Sequence, residues 1–315
     1  MSTAIYTHPD CQLHEMGRWH PESPQRLQAI EDQLIASRID TLLDYRSAPL
    51  AQVADLQRVH TDEAIALVQD HLPREGDDDN RYYPIDGDTS LNPHSWKAAM
   101  RAAGAAVAAT DAVIDGELEN AFCAIRPPGH HARPTVAMGF CLFNNVAIAA
   151  RHALEVRGLR RVAIVDFDVH HGNGTEDAFA GEPRVLMVSF FQHPFYPYSG
   201  VHREGNPDNM VNLPLPAFTK GDVVRQLVTE KWLPALHAHK PEMIFISAGF
   251  DAHKEDDLGQ MGLVEADYAW MTERIMDVAK EHAGGRIVSC LEGGYNLSAL
   301  GRSVVAHVKT LAGLD

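Results

Sequence analysis

Short apolar runs alternate with longer amphipathic stretches along most of the chain. The apolar runs are rich in β-branched and aromatic residues and end at Gly, Pro or Asp, which is typical of buried strands. The five clearest runs are 121–126, 162–168, 185–190, 242–248 and 286–292. Helical periodicity covers 93–115, 143–157, 219–238 and 264–283. This alternation predicts an α/β protein whose mostly parallel sheet is covered by helices on both faces.

Two long polar segments interrupt the alternation. Residues 74–90 are acidic, and residues 191–217 contain five prolines and two glycines. We predict both to be surface loops with little regular structure, and loops of this length are often functional. Because no linker divides the sequence, we expect residues 1–315 to form a single domain.

Composition disfavours several classes of protein. The chain has 27 Lys and Arg against 43 Asp and Glu, a net charge of −16. This balance disfavours direct nucleic-acid binding and suits cationic or acylated-amine partners, although solubility alone also explains it. No apolar stretch approaches the ~18 residues of a membrane span. No secretory signal is visible and the four cysteines show no C-x-x-C spacing, so we expect a cytoplasmic protein with reduced thiols.

Histidine is unusually frequent, and several of the 18 histidines follow predicted strands together with carboxylates and one phenol. Open parallel sheets bind ligands at the carboxyl ends of their strands. The pattern therefore predicts that four strand ends deliver these side chains to one edge of the sheet. The residues concerned are His130, His131, Asp166, Asp168, His170, His171, Asp251 and Tyr295.

Asp168 and His170 are spaced so that both side chains point the same way in an extended chain. Asp251, from another strand end, could supply a third ligand. Two oxygens and one nitrogen around an open position suit a catalytic divalent metal, with zinc the default and iron(II) or cobalt also compatible. The alternative is that Asp168 caps a turn and His170 is a core histidine.

Two further motifs carry candidate catalytic groups. The adjacent His130 and His131 follow a rigid Pro-Pro-Gly turn and could act as acid and base, oriented by Asp166 and Asn173. Two glycines before Tyr295 would hold its phenol at the sheet edge, where it could stabilise an oxyanion. Incidental surface histidines and a packing tyrosine are the alternatives for these motifs taken alone.

Together these motifs resemble the histone deacetylase superfamily, which has the arginase/deacetylase fold. The matching order and spacing run from about His20 to Gly301, and the implied fold is a catalytic domain with a mostly parallel sheet of about eight strands. The matching stretches are RPPGHHA (126–132), GFCLFNNVAIAA (139–150), VDFDVHHGNGT (165–175), SAGFDAH (247–253) and LEGGYNL (291–297).

The resemblance implies one catalytic zinc ion, and the ligands that match are Asp168, His170 and Asp251. It also implies a structural potassium ion behind the zinc. The residues that match the potassium site are Asp166, Ser189 and Phe190, with the backbone of Asp168 and His170.

The same resemblance implies roles for the polar residues around the metal. His131 matches the general base, which also protonates the leaving amine, and His130 matches its electrostatic partner. Asp166 and Asn173 match the acceptors that orient these histidines. Asn173 is an aspartate in class I members, so the chain resembles class II. Tyr295 matches the tyrosine that polarises the substrate carbonyl.

The implied substrate is an acylated lysine or a small acylated amine held in a tunnel. Gly139 and Phe140 match one tunnel wall. Tyr196 stands where the family usually has phenylalanine, which makes the opposite wall more polar. Asp88 matches a residue at the mouth that accepts a hydrogen bond from substrate backbone, or else caps the helix near Pro93. Leu258 matches the position where polyamine-selective members carry glutamate.

Three alternatives stay open at the level of sequence. The first is an acetylpolyamine amidohydrolase, since Asp256 and Asp257 adjoin Leu258 and an acidic run lies at 77–79. The second is a weakly active module that binds acyl-lysine, which Tyr295 disfavours. The third is an arginase-like metallohydrolase, which the single-metal ligand set disfavours. Oligomeric state and acyl-chain preference are not indicated by the sequence.

Overall fold

The computed structural model describes residues 2–74, 76, 81–202 and 205–314. The acidic run predicted at 77–79 lies outside these described residues. The strands are β1 Thr3–Thr7, β2 Asp44–Ser47, β3 Tyr83–Pro84, β4 Ser90–Leu91, β5 Asn120–Cys123, β6 Val162–Asp166, β7 Val185–Gln192, β8 Met210–Leu215, β9 Ile244–Ala248 and β10 Ile287–Leu291.

The helices include the four predicted from periodicity, the third of them as α8 and α9 joined by a π-helical turn at Val228–Trp232. A 3₁₀ turn at Asp40–Leu42 precedes β2. The α-helices are α1 Asp10–Leu13, α2 Gln25–Ala36, α3 Val53–Leu56, α4 Asp62–Asp70, α5 Ser95–Ile114, α6 Asn145–Glu155, α7 Asn173–Phe179, α8 Gly221–Leu227, α9 Leu233–His239, α10 Glu265–His282 and α11 Leu297–Leu311. Within the described ranges, no helix is long and apolar enough to cross a membrane.

Eight of the strands form one parallel sheet in the order β2-β1-β5-β10-β9-β6-β7-β8. Every residue of β5, β6, β7, β9 and β10 is buried. Successive side chains of a strand point to opposite faces, so complete burial means that both faces are covered. The predicted fold class, a mostly parallel sheet between helical layers, is confirmed.

Three strands of the sheet are absent from the sequence prediction, each for a physical reason. The strand β1 is short and lies at the N-terminus, and β2 at the sheet edge alternates half-buried and exposed residues. The strand β8 lies inside the segment 191–217, so the prediction of a loop with little regular structure is wrong there. Its Pro214 is tolerated because β8 is the other edge strand, where one missing N–H leaves no ladder bond unmade. Among the described residues of the segment 74–90, the regular structure is the small β3–β4 hairpin, which ends at Leu91.

The strand order decides where the chemistry lies. The four central neighbours are β5, β10, β9 and β6, and their carboxyl ends precede the four motifs singled out in the sequence. These motifs are up to 165 residues apart along the chain, from His130 to Tyr295, yet parallel pairing brings them to one edge.

The close approach of the 49–51 backbone to α5 generates a stability prediction. A Cβ atom on Gly104 would lie 2.1 Å from the Pro49 carbonyl oxygen and 2.6 Å from the Ala51 nitrogen. We expect Gly104→Ala to lower the free energy of unfolding by about 1–3 kcal/mol through overpacking, although alanine is the better helix former. Urea denaturation measures the change.

The matched control is Ala108→Gly, at a half-buried position of the same helix, where the loss of helix propensity costs about 1 kcal/mol. A Gly104→Ala protein that is more stable than the wild type would contradict the expectation.

Candidate active site

Three predicted metal ligands converge at the carboxyl ends of β6 and β9. Asp168, His170 and Asp251 each offer one donor atom, and these atoms lie within 4.8 Å of one another. His170 Nδ1 is 3.0 Å from Asp168 Oδ1 and 3.2 Å from Asp251 Oδ2. Donor atoms bound about 2.1 Å from a single ion are separated by similar distances.

The surrounding backbone leaves donor atoms free for an ion. The Val169 N–H donates to Asp251 Oδ1 over 2.9 Å, and the Gly293 N–H donates to Asp168 Oδ2 over 2.8 Å. Asp251 Oδ2 is buried and has no hydrogen-bond partner. Burial and the neighbouring Asp168 carboxylate raise the pKa of Asp251 to about 7. A buried carboxylate with an unsatisfied oxygen fits a divalent cation, which supplies the missing positive charge.

Two glycines keep this space open. A Cβ atom on Gly293 would lie 2.0 Å from Asp251 Oδ2, and one on Gly249 would lie 2.0 Å from Asp168 Oδ2. Any side chain at either position would occupy the place of the ion or displace a ligand. Gly293 of the 291–297 motif and Gly249 of the 247–253 motif therefore each have a steric role at the candidate metal site.

The tandem histidines have different partners and opposite electrostatics. His130 Nδ1 lies 2.9 Å from Asp166 Oδ2, and His131 Nδ1 lies 2.8 Å from Asn173 Oδ1. Burial lowers the pKa of His130, but the Asp168 and Asp166 carboxylates outweigh burial and raise it well above its usual value. Burial, helped by the charge of His130, holds the pKa of His131 well below its usual value. The sequence-predicted acceptors are thus the ones that the fold supplies.

Glu292 anchors the turn that presents these histidines. Its Oε2 accepts hydrogen bonds from the backbone N–H of Gly129 at 2.6 Å and of His130 at 3.0 Å. The Ser247 hydroxyl donates to the other oxygen over 3.3 Å. Burial raises the pKa of Glu292 to about 7 despite these donors. One carboxylate from the end of β10 therefore fixes the turn that follows β5.

The position of Tyr295 is set by groups from two other parts of the chain. Asp256 Oδ2 accepts the backbone N–H of Tyr295 at 2.6 Å and of Asn296 at 2.9 Å. The Arg26 guanidinium lies 4.9 Å from the centroid of the Tyr295 ring and donates to the Gly294 carbonyl over 2.7 Å. Burial raises the pKa of the phenol, which keeps it protonated and able to donate.

Arg26 belongs to a buried ion-pair cluster behind the site. Glu22 accepts from Arg26 Nη1 at 3.1 Å and from Arg126 Nη2 at 2.6 Å, and all three side chains are fully buried. Burial disfavours the charged carboxylate, but Arg126 outweighs burial and lowers the pKa of Glu22 to about 2. This cluster joins α2 to the motif at 126–132.

The metal-ligand candidate His170, together with His131 and Tyr295, lines a cavity of about 270 Å³. All five predicted substrate-contacting residues line it, namely Asp88, Gly139, Phe140, Tyr196 and Leu258. Phe195 and Asp257 also line it, and the Phe195 ring stacks on His170 with centroids 5.4 Å apart.

The two wall segments of the cavity are joined by hydrogen bonds. The Thr89 hydroxyl donates to Asp88 Oδ1 over 2.9 Å and accepts the Phe140 N–H over 2.9 Å. Asp88 makes no capping hydrogen bond to α5. At the start of that helix, the Ser95 hydroxyl donates to Asn92 Oδ1 instead. Burial and a hydrogen bond with Asp86 raise the pKa of Asp88. The structure therefore places Asp88 at the cavity.

The three residues predicted for a potassium site also lie together. Asp166 and Ser189 are register partners on the adjacent strands β6 and β7, and Phe190 follows in β7. The Ser189 hydroxyl lies 3.2 Å from Asn212 Oδ1. The Asp166 carboxylate therefore contacts His130, and Asp166 also pairs with Ser189 of the neighbouring strand.

The sequence prediction missed the groups that hold the site together. Glu22, Arg26 and Arg126 were not singled out as a unit, and their only local signal is the i, i+4 spacing of Glu22 and Arg26. Asp256 was grouped with Asp257 as an acidic neighbour of Leu258. In the structure only Asp257 of this pair lines the cavity, because Asp256 is buried beneath the Tyr295 backbone.

Comparisons with known proteins agree with this geometry. The family model described as "Histone deacetylase domain" matches residues 20–311. The "Histone deacetylase-like amidohydrolase" of Pseudomonas aeruginosa is 37% identical over 94% of this chain and 77% of its own length. "Polyamine deacetylase HDAC10" of Mus musculus is 35% identical over 98% of this chain, which spans 46% of that protein. The solved structure titled "HDA15 HD domain" has a TM-score of 0.91 and 35% identity, covering 99% of this chain and 88% of that one.

The buried cluster predicts a pH-dependent stability. The pKa of Glu22 is lowered to about 2 in the folded state from its ordinary value of 4.5, so its contribution to stability is present above pH 4.5 and is lost as pH falls toward 2. We expect the wild type to lose about 1 kcal/mol from this group between pH 6 and pH 3.5. Glu22→Gln should lack that loss, and at pH 7 it should be less stable by about 3–5 kcal/mol, because two buried guanidinium groups lose their partner.

Urea denaturation at pH 7, 6 and 3.5 measures both effects. The matched control is Glu31→Gln, an exposed position on α2, the helix that begins just after Glu22. If Glu22→Gln and Glu31→Gln lose the same free energy of unfolding between pH 6 and pH 3.5, the lowered pKa of Glu22 is wrong.

Proposed function

Because the chain belongs to the histone deacetylase family and is a hydrolase of acetylated amides, we propose that it is a zinc-dependent deacetylase. Its substrate is acetyl-lysine or a similar N-acyl amine, which it cleaves to a free amine and a carboxylate. The observation that carries this proposal is that the three metal-ligand candidates cluster around His170, which lines one cavity together with His131 and Tyr295. Residues 1–315 act as a single catalytic domain in this proposal.

Asp168, His170 and Asp251 would hold the zinc ion, which supplies a Lewis acid that acidifies water and polarises the acyl carbonyl. His131 is the general base for the attacking water, because its lowered pKa leaves the imidazole neutral. Asn173 holds the His131 ring in place through Nδ1. His131 then returns the proton to the leaving amine, so that one residue serves as base and acid.

His130 and Tyr295 stabilise charge around the same centre. His130 stays protonated beside Asp166, so it offers a fixed positive charge and keeps its proton. The Tyr295 hydroxyl donates to the carbonyl oxygen as negative charge develops there. Arg26 and Asp256 position Tyr295 through its ring and its backbone. A weakly active acyl-lysine binding module is less well supported, since every group needed for turnover is present.

The proposed potassium ion would lie between β6 and β7. Asp166 and Ser189 supply oxygen atoms from adjacent strands, and backbone carbonyls of Asp168, His170 and Phe190 would complete the set. The support is the register of the two strands and the burial of these residues. Oxygen ligands of this kind suit a hard monovalent cation.

The residues that line the cavity influence which substrate it favours. Leu258 lines it and has no charge to pair with a distant ammonium, which favours acetyl-lysine peptides or neutral acyl amides over acetylpolyamines. Asp257 and Asp88 line the same cavity, and these two carboxylates are the observation that supports the second candidate, an acetylpolyamine amidohydrolase. The similarity to the murine polyamine deacetylase supports it as well.

Loss of a single metal ligand should abolish both zinc binding and activity. We expect Asp251→Asn and His170→Ala to lose the zinc ion and turnover, because each removes one of three protein ligands. Elemental analysis and an acetyl-lysine assay measure the two effects. Asp257→Asn is the control, since it lines the cavity without offering a ligand atom. Full zinc content with normal turnover in either ligand variant would overturn the assignment.

Tyr295→Phe should keep the zinc ion and the fold but lower kcat by roughly 10²–10³, the scale of losing one oxyanion donor. KM should change less, since the contact strengthens in the transition state. Steady-state kinetics measure both constants. Tyr198→Phe, at an exposed tyrosine, is the control with unchanged kcat. A kcat of Tyr295→Phe within about threefold of wild type would make Tyr295 a packing residue.

The substrate panel compares acetyl-lysine peptides, acetylspermidine and longer acyl-lysines. We expect the wild type to cleave acetyl-lysine peptides at least as fast as acetylspermidine, measured as kcat/KM. Leu258→Glu should raise kcat/KM for acetylspermidine by about fivefold or more, because a partly desolvated ion pair contributes on the order of 1 kcal/mol. It should leave acetyl-lysine peptides unchanged or slower.

Ionic strength separates a specific ion pair from general attraction. Diffuse attraction by the −16 net charge fades as salt is added, whereas a desolvated pair persists. A wild type that prefers acetylspermidine tenfold with little salt dependence would contradict the role of Leu258 and favour the polyamine candidate.

A further inference from the structure

A second group of potential metal ligands lies far from the active site. It consists of His237 in the last turn of α9 and of Glu281 and His282 at the end of α10. From the ends of these helices the chain enters β9 and β10, so the group lies at the amino ends of these strands. The active site lies at their carboxyl ends. We propose that this distal cluster binds one late first-row divalent metal ion, with Zn²⁺ as the expected ion.

One donor atom from each residue lies within 4.8 Å of the other two, close to the separations that a bound ion requires. His237 Nδ1 is 3.0 Å from His282 Nε2 and 3.4 Å from Glu281 Oε2, and His282 Nε2 is 3.5 Å from Glu281 Oε1. Ligands about 2.1 Å from a zinc ion, at angles of 90–110°, are about 3.0–3.4 Å apart. In the described parts of the chain, the only other such group is the catalytic one.

The chemistry of the cluster selects the type of cation. Two imidazole nitrogens and one carboxylate suit zinc, nickel or copper better than calcium or magnesium, which prefer oxygen ligands. Without a metal, the facing nitrogens of His237 and His282 can share only one proton between them. A metal ion replaces that proton and is bound by both rings.

The electrostatic setting also favours a cation. The cluster lies at the C-terminal end of α10, where the last carbonyl groups carry partial negative charge. The side chains of His237 and Glu281 are 41% and 61% exposed, whereas that of His282 is 12% exposed. The ion therefore has one rigid ligand, two accessible ligands and room for water at its remaining positions.

A metal ion held here would join α9 to α10 and stabilise the folded state, because the unfolded chain does not hold the three ligands together. It would not contact the substrate cavity, since the two sites lie at opposite ends of the strands. The effect to measure is therefore metal content and thermal stability, independent of the proposed reaction.

The experiment uses the untagged full chain, dialysed against buffered micromolar Zn²⁺ and analysed for zinc per chain. We expect two ions in the wild type and one in the double variant His237→Gln/His282→Gln, whose turnover should be unchanged. His71→Gln is the matched control with two ions, because that exposed histidine contacts Leu67 and Tyr83 and belongs to neither group of ligands. Added zinc should raise Tm of the wild type but not that of the double variant.

A zinc content equal in the wild type and the double variant would overturn the proposal. The single variant His237→Gln, at an exposed position, gives the same comparison if the double variant folds poorly. Asp251→Asn separates this inference from the proposed function. If it keeps two ions while the double variant keeps one, the catalytic assignment is wrong and the distal site stands.

Discussion

Several carboxylates of the candidate site are buried away from water, and the need to compensate their charge determines how the rest of the site is built. A buried carboxylate is stable only where cations or N–H groups compensate its charge. Asp168, Asp251 and Glu292 lie together at the ends of adjacent strands and are fully buried. The raised pKa values of Asp251 and Glu292 show that protein groups alone compensate them incompletely. The proposed divalent cation at Asp168 and Asp251 would complete the balance.

The same constraint links the catalytic groups to distant parts of the fold. The charge of Glu22 is compensated by Arg26 and Arg126. The Arg26 guanidinium packs on the Tyr295 ring, and Arg126 directly precedes the turn that presents the two histidines. Glu292 connects the end of β10 to that turn. The positions of the proposed base and of the proposed carbonyl donor are therefore set by charge compensation in the core and not by flexible loops.

The two candidate metal sites lie at opposite ends of the central strands, and they differ in how far their ligands are exposed to water. The catalytic ligands are buried, and backbone N–H groups occupy the other oxygens of Asp168 and Asp251. The distal ligands come from helix ends, and two of the three are substantially exposed. Desolvation makes the first site suited to chemistry, whereas exposure limits the second to binding and stability.

The sequence alone predicted five strands of the parallel sheet, the helices α5, α6, α8, α9 and α10, and the residues of the candidate site, because buried strands and motifs such as Asp168-x-His170 are local patterns. It did not reveal β8, since Pro214 in an edge strand resembles a loop residue, nor the role of Asp256 beneath Tyr295. Only the tertiary structure decided these, along with the pairing of Glu22 with Arg126 and of His237 with His282. The physical reason is that charge compensation joins residues distant in sequence, whose partners depend on strand order and helix packing and leave no local periodicity.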